Sequence, residues 1–133
     1  MIERILVGTA AEDESDATLR LAAELAARHD AELHLLRLEP LLDARQVFDP
    51  DGVPPRSSPD HGLRRSYPGL RLRTTEVRGN PVRTVCAVAR DEQPDLIVVG
   101  HGRGRRGGRA LLSRRASNAL VERAPCAVLL VAS

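Results

Sequence analysis

At 133 residues the chain has the length of one domain able to bury its own core. Its 42% apolar and 29% charged residues are ordinary for a soluble globular protein, and its apolar runs are far too short to cross a bilayer. The opening Met1-Ile2-Glu3-Arg4-Ile5-Leu6-Val7 lacks the shape of a signal peptide, so the expected location is the cytoplasm.

The net charge of +2 conceals an asymmetry. Residues 100–123 carry seven arginines and one acid, Glu122, for a local charge of +6, while the remainder carries −4. No lysine occurs anywhere. Cys86 and Cys126 lie 40 positions apart without CxxC spacing, and are read as a reduced pair of small hydrophobes.

In chain order, Ile2–Val7 reads as a short apolar strand. Asp13 or Ser15 is placed to cap a helix that runs to about His29, with Leu19, Ala22, Ala23 and Ala26 on one stripe. Ala31–Leu38 reads as a second strand. Residues 39–69 hold six of the nine prolines and three glycines, a composition that forbids a long helix. An irregular crossover with at most one or two short helical pieces is expected there, Leu41–Phe48 being one candidate. Leu70–Val77 alternates like a strand with one wet face. Asn80 and Pro81 open a helix as N-cap and first helical residue, with Val82, Val85, Cys86 and Ala89 facing inward. Asp95–Val99 and Ala127–Val131 read as the last two strands, with a helix at about Ala110–Arg123 between them. Five strands alternating with crossovers imply an α/β fold, a parallel doubly wound sheet. Its ligand crevice is then expected at the carboxyl ends of the first and fourth strands.

Asp95-Leu96-Ile97-Val98-Val99-Gly100 runs into the loop His101-Gly102-Arg103-Gly104. Glycines at a strand end before a helix bring bare backbone N–H groups to a phosphate. Gly102 to Gly107 satisfies G-x-G-x-x-G, but the dinucleotide fingerprint belongs to a first βαβ unit with an acid at the next strand's end; here the next strand ends the sequence, and Glu122 lies on a helix. The arginine cluster is read first as a solvated loop. With one Phe and one Tyr in the chain, base stacking has little support and nucleic acid is not the expected partner. Arg114-Arg115-Ala116-Ser117 has the form of a basic-directed kinase site, but it falls within a helix, and Ser117 is read as a helix-surface serine. His101 is read as a loop histidine rather than a catalytic base. Neither HxxxH nor CxxC is present, so no metal site is expected, and the lack of G-x-S-x-G removes the simplest hydrolase reading.

Several segments together resemble the universal stress protein family. They are Arg4-Ile5-Leu6-Val7 with Thr9, Ala31-Glu32-Leu33-His34-Leu35-Leu36, Gly79-Asn80-Pro81, the run from Asp95 to Gly104, and Ala124-Pro125-Cys126 followed by Val128-Leu129-Leu130-Val131. The resemblance spans nearly the whole chain. It implies a five-stranded sheet of order 3-2-1-4-5 and a homodimer formed through the last strand, Ala127, Val128, Leu129, Leu130 and Val131. Members of the family that bind ATP carry Val-x-x-Asp at the first strand and Gly-x-x-Gly, nine residues, then Gly-Ser or Gly-Thr. Here Ala10 stands in place of the aspartate, the first glycine spacing is one short, and Arg114-Arg115 fall where the later pair belongs. Gly100, Gly102 and Ser117 carry over.

The candidate nucleotide or anion site is therefore Thr9, Gly100, His101, Gly102, Gly104, Arg114, Arg115 and Ser117. The leading expectation is a non-catalytic, dimeric, regulatory or ligand-sensing module that takes phosphate-type anions. The alternative is an ATP-binding protein with slow nucleotide hydrolysis, ATP being the candidate cofactor.

Overall fold

The computed structural model describes residues 1–10, 16–39, 62–101 and 112–132. Nine elements occur among them, in the order β1 (Arg4–Ala10), α1 (Asp16–His29), β2 (Glu32–Glu39), α2 (Leu63–Ser66), β3 (Arg71–Arg78), α3 (Pro81–Glu92), β4 (Leu96–His101), α4 (Arg114–Arg123) and β5 (Ala127–Ala132). The strands form one parallel sheet of order β3-β2-β1-β4-β5. The chain thus steps outward from β1 to β3, then returns to fill β4 and β5 on the other side. Right-handed crossovers put the two sets of connections on opposite faces.

The alternation of side chains along each strand divides the core accordingly. Ile5, Val7, Leu33, Leu35, Leu72 and Val98 face α1, whose Leu19, Ala22, Ala23 and Ala26 are fully buried. Three alanines on that stripe let the helix axis approach the sheet closely. On the other face Leu6, Leu36, Leu38, Ile97 and Val99 meet Val82, Val85, Cys86 and Ala89 of α3 and Leu120 of α4. β1 lies in the centre, buried on both faces, which is why its sequence is continuously apolar. β3 and β5 are the edges. In β3 only Leu72 is buried, and β5 is half-exposed along its middle four residues.

Local chemistry fixes the helix starts. Asn80 is the N-cap of α3, its side chain accepting from the Arg83 N–H at 3.1 Å, with Pro81 at the first helical position. Gly79 before it has φ +140°, and a Cβ there would sit 3.2 Å from Thr84 Oγ1, so the Gly79-Asn80-Pro81 sequence is dictated by this turn. The sequence pattern suggested a last helix from about Ala110, but α4 begins at Arg114. The reason is Ser113, whose backbone is extended and whose Oγ accepts from the Ala116 N–H at 3.2 Å, ending the preceding chain as a cap. β1 and β4 extend further than their apolar runs, to Ala10 and His101, because backbone pairing continues past the last apolar side chain.

Within 39–69 the described residues contribute the end of β2 and the single turn α2, whose Leu63 is buried against the α1 side of the core. The remaining positions of that crossover, including Leu41–Phe48, lie outside the described residues, as do the proposed caps Asp13 and Ser15. No described helix is long and apolar enough to cross a membrane.

Candidate functional site

The carboxyl ends of β1 and β4 lie side by side, with Gly8 in register with Val99. α1, which follows β1 in the sequence, packs on one face of the sheet, and α4, which follows β4, packs on the other. This is the point in a doubly wound sheet where a crevice opens. Gly100 and His101 are the last residues of β4. The Gly100 carbonyl accepts from the Leu112 N–H at 3.2 Å, and His101 forms an isolated parallel bridge with Leu112. Leu112 is thereby held beside the end of β4, and it is fully buried. Gly102 and Gly104 lie outside the described residues.

α4 points its N-terminus at this edge. The Ala116 amide is satisfied by Ser113 and the Ser117 amide by the Ser113 carbonyl. The amides of Arg114 and Arg115, in the first turn, have no intrahelical acceptor by the geometry of a helix start. The side chains of Arg114 and Arg115 are exposed. Glycine at those positions would let a ligand approach the backbone freely, whereas two guanidiniums offer forked donors instead.

Ser117 does not lie at the helix surface. It is 1% exposed, turned into the core beside Leu120, because it falls on the same helical stripe one turn earlier. A kinase cannot reach it there without unfolding α4. Its Oγ makes no hydrogen bond among the described residues, and the same holds for Thr9 Oγ1 and His101 Nδ1. A buried hydroxyl without a partner is costly, so such atoms in a folded protein call for a reason. Thr9 is 2% exposed and follows Ile5 and Val7 on the α1 face, whereas His101 follows Ile97 and Val99 on the α3/α4 face. The two flank the crest of the sheet from opposite sides.

Three polar arrangements escape the motif reading. At the carboxyl edge, Arg37 of β2 is 6% exposed, in register with Thr9 on one side and Glu76 on the other. Its Nη1 lies 3.6 Å from Glu76 Oε1. The signal was present in the period-2 pattern, since Arg37 continues the face of Leu33 and Leu35. At the opposite, amino edge, buried His34 joins β2 to β3 and α3. Its Nδ1 is 2.5 Å from Glu92 Oε2 and its Nε2 is 2.7 Å from Thr75 Oγ1. Arg73 Nη2 donates to Glu92 Oε1 at 2.5 Å, and a shallow cleft opens between this cluster and Arg4. No sequence spacing joins His34, Thr75 and Glu92, so nothing local announces them. Third, Asp95 Oδ2 accepts from the backbone amides of Glu3 at 2.7 Å and Arg4 at 3.1 Å. Those two bonds hold its carboxyl below the ordinary aspartate range.

Cys86 and Cys126 are free thiols. Burial pushes the Cys126 thiol up, with Asp95 adding to the shift, so its thiolate is disfavoured. Among the described residues no group of three or more His, Cys, Asp or Glu is disposed to hold a metal.

No curated protein is detectably similar to this chain in sequence. Solved structures share its fold. A universal stress protein crystallised in complex with cAMP is 22% identical, with a TM-score of 0.68 over 98% of this chain and 96% of the other. The universal stress protein UspA from Lactobacillus plantarum is 21% identical, with a TM-score of 0.66 over 98% of this chain and 97% of the other. A universal stress protein from Archaeoglobus fulgidus in complex with dAMP is 15% identical, with a TM-score of 0.63 and coverage of 98% and 97%. The sequence profile of the universal stress protein family matches residues 1–132, and with the strand order β3-β2-β1-β4-β5 this establishes that the chain belongs to the universal stress protein family.

Proposed function

We propose that this protein is a non-catalytic, dimeric sensing module of the stress response, acting in the cytoplasm, whose crevice at the carboxyl ends of β1 and β4 takes a phosphate-type anion. The observation that carries the reading is the pair of deeply buried hydroxyls that make no hydrogen bond among the described residues, Thr9 near the carboxyl end of β1 and Ser117 near the N-terminus of α4. A helix start supplies donors and a positive dipole end, and a hydroxyl with spare capacity supplies orientation. Gly100, His101, Arg114 and Arg115 complete the described part of the site, and Gly102 and Gly104 belong to it by sequence. Arginine at 114 and 115, with Ala10 in place of an aspartate, favours an anion held by charge over an adenine nucleotide held by shape.

The dimer is inferred from β5. Its Val128, Leu129, Leu130 and Val131 are half-exposed on an edge strand, and an uncovered apolar edge invites pairing with a second copy about a two-fold axis.

A second reading is an ATP-binding protein with slow hydrolysis. It is favoured by the similar structures determined in complex with cAMP and with dAMP. Titration calorimetry with inorganic phosphate, AMP, ADP and ATP, at low and high salt, separates the two. The first reading expects weak binding with little preference for adenine, falling as salt rises because exposed charges are screened over roughly 10 Å at 0.1 M. Sub-micromolar ATP binding that persists at high salt and discriminates against GTP would put the second reading first. In the same preparations Leu129→Pro, which removes a ladder donor from β5, should shift the sedimentation behaviour from dimer to monomer or precipitate. A wild-type protein that sediments as a monomer at micromolar concentration refutes the dimer.

A further inference from the structure

We propose that Thr75 is a covalent acyl-acceptor site, its hydroxyl activated by His34 as general base and His34 held in place by Glu92. The site is independent of the crevice at the carboxyl ends of β1 and β4.

The three side chains meet on the face of the sheet that α3 covers. His34 and Arg73 are register partners in the β2–β3 ladder, and Thr75 follows Arg73 on the same face of β3. Glu92 is the last residue of α3, and its carbonyl accepts from Arg4 Nη1 at 3.0 Å, which ties the end of that helix to β1. Glu92 Oε2 lies 2.5 Å from His34 Nδ1, and Oε1 accepts from Arg73 Nη2 at 2.5 Å, so the carboxylate is fixed from two sides. His34 Nε2 lies 2.7 Å from Thr75 Oγ1. An ionised carboxylate only accepts, which makes Nδ1 the donor. In the neutral ring Nε2 is then the acceptor, and the Thr75 hydroxyl donates to it. Hydroxyl, imidazole and carboxylate thus stand in series within hydrogen-bond reach, the geometry that turns a weak hydroxyl into a nucleophile.

Burial is graded along the series. His34 is 6% exposed, while Thr75 is only half-buried and sits on an edge strand with a neighbour on one side. The base is shielded from water and the hydroxyl is open to a reagent. A histidine takes a threonine proton only as the new bond forms, so the partner must be a carbonyl compound with a good leaving group: an acyl phosphate, a thioester or an aryl ester. Thr75 Oγ1 bonds to the carbonyl carbon as its proton passes to His34 Nε2. The bond from that carbon to the leaving group then breaks, the electron pair departs with the leaving group, and the proton on Nε2 follows it or returns to water. No oxidant or reductant is needed. The product is an ester of Thr75, with His34 neutral again. The branched Cβ of threonine crowds a second attack by water, so the acyl group stays.

The test uses p-nitrophenyl acetate as the probe, added to the full chain. Release of p-nitrophenolate is followed by absorbance, and the acetyl group is located by mass spectrometry of the peptides. The chain has no lysine, so few other nucleophiles compete. A single equivalent of release and an acetyl group on Thr75 are expected. Thr75→Val should abolish that label and Thr75→Ser should keep it. His34→Gln should slow acylation by roughly a hundredfold or more, the contribution of a general base, with thermal unfolding measured in parallel to show that it is folded. Glu92 is a positioning residue that acts through His34. Glu92→Gln should therefore slow acylation in the wild-type background but not in His34→Gln, and equal slowing in both overturns the relay. Should His34→Gln fail to fold, wild-type rates in light and heavy water decide: proton transfer during bond formation makes heavy water slower, and equal rates overturn the proposal. An unlabelled Thr75 overturns it, as does release that continues far beyond one equivalent, which would make Thr75 a turnover nucleophile. None of these outcomes bears on phosphate binding at the crevice.

Discussion

Ser117 offers the sharpest check on the site, because stability and ligand binding should move in opposite directions when its hydroxyl is removed. The residue is 1% exposed in the second turn of α4, and its Oγ makes no hydrogen bond among the described residues. In the unfolded chain that hydroxyl is hydrated. Burying it without a partner costs about 1–3 kcal/mol, a cost that Ser117→Ala abolishes. Alanine also has the better helix propensity, by roughly 0.5 kcal/mol. Against these gains stand the lost contacts of one oxygen atom and the small void it leaves, which together cost on the order of 1 kcal/mol. The expected net effect is a stabilisation of about 1 kcal/mol, or a rise of roughly 3–6 °C in unfolding temperature for a chain of this size. Urea unfolding followed by far-ultraviolet circular dichroism measures it, the chain having no tryptophan to report by fluorescence. Protein concentration must be held constant, since the stability of the proposed dimer would depend on it. Adding phosphate should then raise the midpoint of wild type more than that of Ser117→Ala, because a ligand stabilises only in proportion to its affinity for the folded state. Ser117→Asp should lower stability by about 3 kcal/mol or more, since it buries an unpaired carboxylate. A Ser117→Ala protein destabilised by more than about 1 kcal/mol would show that the hydroxyl has a structural partner, and the reasoning would fail. A gain in stability with an unchanged phosphate response would remove Ser117 from the site.

Two further predictions concern the amino edge of the sheet. Asp95→Asn should lower the urea midpoint at pH 7, because the carboxylate that accepts from the Glu3 and Arg4 amides is replaced by a neutral acceptor. The folded carboxyl titrates below its unfolded value, so its contribution is complete above about pH 4 and is lost as pH falls through the folded value. The gap between wild type and variant should therefore close in acid, and a gap that widens below pH 4 contradicts the assignment. Glu92→Gln should cost about 1–3 kcal/mol, since it weakens the bonds to both His34 and Arg73 in a half-buried network. Its cost should fall when tested in a Thr75→Val, His34→Leu background, and strict additivity in that cycle would show that the cluster does not act as a unit.

What could be read from the chain and what could not divide along the range of the forces involved. Period-2 and 3.6-residue patterns and the Asn80-Pro81 helix start are local, and they suffice for the order of elements and the parallel sheet. Turn and cap chemistry acts over a few residues, so a single sequence carries it. At the start of α4 two local signals compete: the apolar Ala110-Leu111-Leu112 suggests a helix from about Ala110, while the cap at Ser113 starts it at Arg114, and the cap decides. The kinase-like neighbours of Ser117 suggest a surface serine, but its stripe with Leu120 buries it. The remainder depends on register. Arg37 stands beside Thr9, 28 positions away, only because parallel pairing sets it there, and His34 meets Glu92 across 58 positions because α3 packs on the face of the sheet that carries His34. A contact between residues distant in sequence is decided by which strands neighbour one another. That order comes from burying the whole apolar surface at once, so no segment contains it.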